Sequence, residues 1–260
     1  MDRDHALSEA FDQQAARFER SRVQSDPELL ARLVAFAALP AGARVLDAGC
    51  GPGLVAEALL AAGLAVHGVD LSGEMIRRAE ARCARFGGRA RFEQGALRDA
   101  AAGPFDAAIS RLVLHHADDP AAFLAAQAAR VRPGGAIVAC DVTTDPDPTA
   151  ARWHQEIERA RDRTHARNLA PGELVDLLAG LGLAGLELAE APIELDFDEW
   201  FDRGTPSRPK EEVRRLVLDG RARGFEPILR EDGGITLRLA LALARGVRRA
   251  GEGGEAVPRG

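Results

Sequence analysis

The segment that most constrains the fold is Val45-Leu46-Asp47-Ala48-Gly49-Cys50-Gly51-Pro52-Gly53. The short apolar run from Arg44 to Ala48 reads as a buried strand. Three glycines in five residues then turn the chain straight into a helix from Leu54 to Ala62, which Gly63 ends. A strand that passes through a side-chain-poor turn into a helix is the opening unit of an α/β sheet. Its backbone can lie directly against a ligand, at the carboxyl end of the strand and the amino end of the helix. The same rhythm continues, with strands predicted over 65–70, 91–94, 105–110 and 136–142 and helices over 72–86 and 120–131. Ser72 is placed to cap the first of these helices, and Arg132-Pro133-Gly134-Gly135 closes the second. Strands alternating with helices imply a parallel sheet covered on both faces, an α/β doubly wound architecture.

The flanks read differently. Residues 7–37 are helical, with a helix start at Asp26-Pro27-Glu28, where an acid caps and a proline occupies the first turn. After Val142 the alternation breaks at Asp145-Pro146-Asp147-Pro148. Residues 149–167 look helical and highly charged, 172–181 helical, and 186–195 alternate like a strand. Residues 197–225 read as helix with breaks at Pro206 and Pro209, and 235–247 as a final strand or strand pair. The division is therefore an N-terminal helical segment (1–40), a Rossmann-like core (41–142), an insertion of helices and one core strand (143–233), and a terminal core strand (234–250). The glycine-rich tail (251–260) is expected to be disordered.

Composition excludes some classes. The chain has 260 residues, 46% hydrophobic and 28% charged, which is the globular range. A formal net charge of −6 gives no encouragement to a nucleic-acid partner. No run of about 18 apolar residues exists, so no membrane span is expected. The acid-bearing start Met1-Asp2-Arg3-Asp4-His5 resembles neither a secretory nor a transit signal. Cys50, Cys83 and Cys140 are too few and too scattered for a disulfide framework or a zinc site. The expectation is a cytoplasmic protein without metal, its oligomeric state (monomer or homodimer) left open.

Three details bear on the ligand of the glycine turn. A dinucleotide fingerprint needs a small residue where Leu54 stands. Asp47, just before the glycines, would repel a pyrophosphate but attract an ammonium or a sulfonium. Asp70 ends the second strand, where a carboxylate can accept both ribose hydroxyls. The first two details favour S-adenosylmethionine (SAM) over a dinucleotide, and the third suits either.

On these residues the chain resembles the class I SAM-dependent methyltransferases. The resemblance begins at 45–53 and continues through Gly68-Val69-Asp70-Leu71-Ser72, Met75, Phe105-Asp106, Leu114-His115-His116 and Val131-Arg132-Pro133-Gly134-Gly135. Phe11 to Ser21 resembles the N-terminal segment of the branch that includes the ubiquinone and menaquinone C-methyltransferases. The resemblance covers roughly 8–142. It implies a seven-stranded Rossmann-like sheet, a substrate lid in the insertion, and SAM as cofactor with S-adenosylhomocysteine as product. It also implies roles. Asp47, Gly49 and Gly51 would face the methionine part of SAM, Asp70 the ribose, and Leu71, Met75, Ala96 and Leu97 the adenine. Phe18, Cys50, Arg111 and His116 would complete the cofactor site. Many relatives carry an acid where this chain has Ala96, and often a tyrosine where it has Phe18, so those two polar contacts are absent here.

Methyl transfer asks mainly for alignment and exclusion of water, with a base if the acceptor is a hydroxyl or an acidic carbon. His115 and His116, just past the fourth strand, are candidate catalytic residues. Asp162 and His165, together with Arg161, could share one side of a helix, giving an oriented base. Arg161, Trp200 and Phe201 are candidate substrate contacts, the two aromatics as an apolar wall. The DNA amino-methylase motif is absent, since Ser110-Arg111-Leu112-Val113 contains no proline. Exposed thiols for arsenite methylation are lacking too. A small organic acceptor, quinone-like or a secondary metabolite, is the expectation. The alternatives are a protein of the same fold that binds SAM without transferring methyl, a non-catalytic SAM sensor, and a nicotinamide oxidoreductase, which Leu54 and Asp47 disfavour.

Overall fold

The computed structural model describes residues 3–100 and 103–249; the expected disorder of 251–260 lies outside them. The N-terminal segment is three helices, not one: α1 (Arg3–Arg20), α2 (Arg22–Ser25) and α3 (Pro27–Ala37). Two side chains make the breaks. Ser21 Oγ accepts from the Gln24 amide, and Asp26 Oδ1 accepts from the amides of Glu28 (2.8 Å) and Leu29 (3.3 Å).

The core then alternates as the sequence predicts: β1 (Arg44–Ala48), α4 (Leu54–Ala61), β2 (Ala65–Asp70), α5 (Gly73–Cys83), β3 (Ala90–Gln94), β4 (Phe105–Arg111), α6 (Pro120–Arg130) and β5 (Val131–Val142). Ser72 caps α5 by accepting from the Met75 amide at 3.0 Å. The remainder is α7 (Pro148–Arg161), α8 (Pro171–Gly180), β6 (Ala184–Asp196), α9 (Phe197–Arg203), α10 (Lys210–Leu218), β7 (Phe225–Leu229) and β8 (Ile235–Val247).

The sheet has eight strands, in the order β3-β2-β1-β4-β5-β8-β6, with β7 added alongside β8. The first five strands are parallel to one another, whereas β6, β7 and β8 pair antiparallel. Seven strands were expected. The extra one is β7, most of which falls in the stretch 226–234 where no element was expected; its Pro227 is tolerated because β7 is a short edge strand. Residues 235–247 form one long strand, since β8 is paired along its length by β5 and β7 on one side and β6 on the other.

Alternate residues bury opposite faces. Val45, Ile109 and Val138 pack with α3, α4, α7, α9 and α10, while Leu46, Ala108 and Ile137 pack with α6 and α8. From β1 the chain moves outward to β2 and β3, then returns to place β4 on the other side of β1. A crevice opens at such a reversal, outside the carboxyl ends of β1 and β4, and this is where an open α/β sheet holds ligands.

Candidate active site

A cavity of about 410 Å³ occupies that crevice. Its floor is the turn after β1. The Gly49 and Cys50 amides both donate to the Val69 carbonyl, at 2.8 and 3.0 Å, which ties the turn to β2. Gly49, Gly51 and Gly53 all have positive φ. A Cβ on Gly49 would strike Val113 Cγ2 at 2.5 Å, so that glycine is needed for close packing of the turn against the end of β4. A Cβ on Gly51 would meet nothing within 4 Å; Gly51 lines the cavity and leaves its backbone open to a ligand.

Two carboxylates govern the electrostatics. Asp70 Oδ2 accepts from the Gly51 amide at 2.8 Å and Oδ1 from the Ser72 amide at 2.9 Å. Each oxygen keeps further acceptor capacity toward the cavity. Burial raises the Asp70 carboxyl above its usual range, and the two amides oppose the rise. Asp47 is only 1% exposed and its Oδ2 has no hydrogen-bond partner. Burial, reinforced by the charge of Asp70 and offset by Arg111, lifts Asp47 to about 7. A buried, half-satisfied carboxylate is costly by itself. A cation beside it would remove most of that cost.

Helix α1 roofs the cavity with Leu7, Phe11 and Phe18. It is held at its rim by polar contacts to the core. Arg3 Nε lies 2.7 Å from Asp118, Asp4 receives Arg98 at 2.5 Å, and Ser8 Oγ donates to the Leu71 carbonyl at 3.0 Å. Asp12 accepts from Ser72 Oγ (2.5 Å) and the Glu74 amide (3.1 Å), and Glu19 pairs with Arg78 and Arg82.

Phe18, Gly49, Cys50, Gly51, Asp70, Leu71, Met75, Ala96, Leu97, Arg111 and His116 all stand on the wall of this one cavity, with Asp47 buried at the end of β1 just before the turn. The Cys50 thiol is pushed up by burial and carries no reactive character. Arg111 spends its guanidinium on the carbonyls of Val23 (2.7 Å) and Gln24 (3.0 Å), fixing α2 beside the cavity.

The histidines divide. His116 lines the cavity; its Nδ1 lies 3.2 Å from the Thr164 carbonyl and 3.1 Å from Thr164 Oγ. A carbonyl only accepts, so Nδ1 carries the proton and Nε2 the lone pair. Burial, aided by neighbouring His115, holds His116 well below its ordinary value, so it is a neutral hydrogen-bonding group. His115 lies beside it, ring centroids 4.0 Å apart, with Nδ1 2.6 Å from Asp141 Oδ1. Asp141, at the end of β5, escaped the sequence reading. It lies 26 residues away, and no local pattern links it to His115.

The other candidates are placed differently. Asp162 and His165 do not share a helix face, because α7 ends at Arg161. Asp162 instead builds the following turn, accepting from the Thr164 amide (2.9 Å), Thr164 Oγ (2.6 Å) and Thr205 Oγ (2.9 Å). His165 bonds Gln155 Oε1 at 2.8 Å, and burial drops it to about 3. The oriented pair expected there is thus not formed. Trp200 is 1% exposed in the core against Phe197 and Phe225, and Arg161 lies over its ring while donating to its carbonyl at 2.9 Å. Phe201 packs beside Phe197. Arg161, Trp200 and Phe201 are absent from the cavity wall, where Leu7, Phe11 and Phe18 supply the apolar surface. No described residue of 143–233 lines the cavity.

Among the described residues, no helix is long and apolar enough to cross a membrane, and no group of three or more His, Cys, Asp or Glu is placed to hold a metal ion.

A family model described as a methyltransferase domain matches residues 20–188. The chain is 31% identical over 172 residues to the ubiquinone biosynthesis O-methyltransferase of Xanthomonas axonopodis pv. citri (strain 306), covering 63% of this chain and 70% of that one. Against other relatives of that name the match spans about half their length or less. Among solved structures, the YcgJ protein of Bacillus subtilis superposes with a TM-score of 0.77 at 25% identity, covering 85% of this chain and 98% of that one. The phosphoethanolamine N-methyltransferase 2 of Haemonchus contortus, solved with S-adenosyl-L-methionine, shares the fold, with a TM-score of 0.60 at 15% identity over 86% of this chain and 53% of that one.

Proposed function

We propose, from the premise that the chain belongs to the methyltransferase-domain family and is a SAM-dependent methyltransferase, that it methylates a hydroxyl of a small, phenol-like organic acceptor. The observation that carries the SAM part of the reading is the buried Asp47 carboxylate with an unpartnered oxygen, at the head of a glycine-floored cavity. The residues fit SAM. Asp47 would face its positive charge, Gly51 would let its methionine part lie on the backbone, and Asp70 would accept from the ribose. Leu71, Met75 and Leu97 would hold the adenine between apolar surfaces. When bound, SAM supplies an electrophilic methyl group.

The chain's own contribution is placement and dryness. Phe11 and Phe18, on the roofing helix, would exclude water and present an apolar face to an aromatic acceptor. His116 Nε2, unprotonated, would accept a hydrogen bond from the acceptor and orient it. The hydroxyl reading draws support from relatives named as O-methyltransferases, and a quinol-like ring suits a wall of phenylalanines.

The test is transfer of labelled methyl from SAM to a panel of catechols and phenols, with primary amines as controls. Labelled ethers support the hydroxyl reading, and in Asp47→Asn their formation should need a higher concentration of SAM. Labelled amines without labelled ethers would overturn the hydroxyl assignment.

A further inference from the structure

We propose that a second cavity, between the end of α9 and the junction of α1 with α2, binds an oxyanion: the phosphate or carboxylate group of a small molecule, held by Arg203 and Arg17. The site is separate from the SAM cavity, and the proposal goes beyond the function argued above without depending on it.

This cavity measures about 520 Å³, within the range of small-molecule sites. Arg17 and Ser21 line it on one side, and Glu199, Phe201, Asp202 and Arg203 on the other. No residue lines both cavities. They share α1 as a wall, since Phe18, next to Arg17, belongs to the SAM cavity.

Arg203 is the informative residue. It is half-buried, and its Nη1 donates to Ser21 Oγ. It forms no ion pair among the described residues. A guanidinium carries five N–H donors and accepts nothing. Nε and Nη2 are unpartnered but not sealed in the interior, so a molecule in the cavity can reach them. Burial, with repulsion from Arg161, pulls Arg203 down to about 10, and the charge of Glu199 opposes the fall. An enclosed cation without a counter-ion is costly. An oxyanion would supply the counter-ion. The situation mirrors that of Asp47, an uncompensated carboxylate beside which SAM would place a cation.

The negative groups on the wall are engaged. Asp202 holds Lys210 at 2.9 Å, and Glu199 accepts from Ser21 Oγ at 3.3 Å. Arg17 is exposed and also forms no ion pair among the described residues. It donates to the Asp202 carbonyl at 3.0 Å, near the carboxyl end of α9, where a cation is favourable. That bond leaves Arg17 most of its donors. Planar guanidinium groups match the oxygens of phosphate and carboxylate in forked pairs. Ser21, bonded to both Arg203 and Glu199, braces the arginine, and Phe201 offers apolar surface to the rest of the molecule. The same oxyanion could come from a free metabolite or from an acidic group on the methyl acceptor.

The test is titration of inorganic phosphate into the full chain saturated with S-adenosylhomocysteine, at constant ionic strength in chloride. It is read by NMR of the arginine Nε–H groups and by thermal melts. Saturable shifts of Arg203 and Arg17 are expected, with a melting temperature that rises as phosphate replaces chloride. Arg203→Gln should weaken phosphate binding by about tenfold or more and remove the rise. Should Arg203→Gln fail to fold, Arg17→Gln, at an exposed position, carries the test and should weaken binding several-fold. Shifts that never saturate, or affinities equal in the wild type and the folded variants, overturn the proposal.

Transfer kinetics separates the two sources. Phosphate that raises KM for 3,4-dihydroxybenzoate but not for catechol assigns the site to the acceptor's acidic group. Any other pattern assigns a site that binds phosphate to a separate small molecule. This arm rests on the hydroxyl reading. If neither catechol is methylated, that reading fails, and the phosphate titration still decides the site. A chain that does not bind S-adenosylhomocysteine counts against the SAM cavity instead, and the titration is then read on the free chain.

Discussion

At the scale of single residues, Asp47 makes the sharpest prediction. Its carboxyl sits at about 7 in the folded protein and at about 4 when unfolded. Between those values the unfolded chain has released a proton that the folded chain keeps. Without ligand, stability therefore falls as pH rises across that window, by about 1.4 kcal/mol per pH unit from this group. Asp47→Asn should remove that slope and raise the melting temperature at pH 8, while weakening S-adenosylhomocysteine binding by about tenfold or more. Thermal melts at pH 5 and pH 8, with and without S-adenosylhomocysteine, check both halves. A variant that loses stability without gaining pH independence would mean that Asp47 is a structural anchor. The glycines of the turn should separate in a similar way. Gly51→Ala meets no atom and pays only for its positive φ, about 1–2 kcal/mol, so it should fold and bind poorly. Gly49→Ala adds a collision with Val113, costing about 1–3 kcal/mol more, and should lose stability first. Equal melting temperatures for the two variants would contradict the packing role of Gly49.

At the scale of elements, the roof of the cavity is α1. Among the contacts that tie it to the core are the exposed pair of Arg3 with Asp118 and the half-buried pair of Glu19 with Arg82. The exposed pair contributes little and weakens with salt. Its buried face also carries Gln14, 1% exposed, with neither amide atom bonded, which lowers the cost of lifting the helix. We therefore expect S-adenosylhomocysteine to slow amide exchange over 3–20 more than over 148–180, and high salt to speed exchange in α1. Greater protection over 148–180 would return the closing role to the insertion, where the resemblance put it. The difference between those two placements shows what a sequence can carry. The glycine turn and the spacing to Asp70 are local, and both were legible. A helix that folds back across the sheet from the N-terminus is a matter of long-range packing, and only Phe11 and Phe18 hinted at it. The link from His115 to Asp141 spans two strands that neighbour each other only in the folded sheet, so nothing in the run of residues announced it.

At the scale of the whole molecule, binding and folding surfaces are distinct. Aromatics after α8 looked like pocket walls because composition alone cannot tell a cavity from a core. Trp200 fills the interior between α9 and β7, braced by Arg161. Trp200→Ala should cost about 3–5 kcal/mol of stability and leave the affinity for S-adenosylhomocysteine within about threefold at a temperature where the variant is folded. Chemical denaturation with parallel binding curves checks it, and a selective loss of binding would return Trp200 to the site. The eighth strand was not legible either, because β7 is a five-residue edge strand whose pairing with β8 exists only in the finished sheet. The central claim is that the crevice between β1 and β4 is a SAM site organised by two carboxylates. The most direct measurement is calorimetric titration of the purified chain with SAM and S-adenosylhomocysteine, beside Asp70→Ala. Micromolar binding of both ligands by the wild type is expected, and loss of that binding in the variant. No binding by a folded wild type, or undiminished binding by Asp70→Ala, would contradict it.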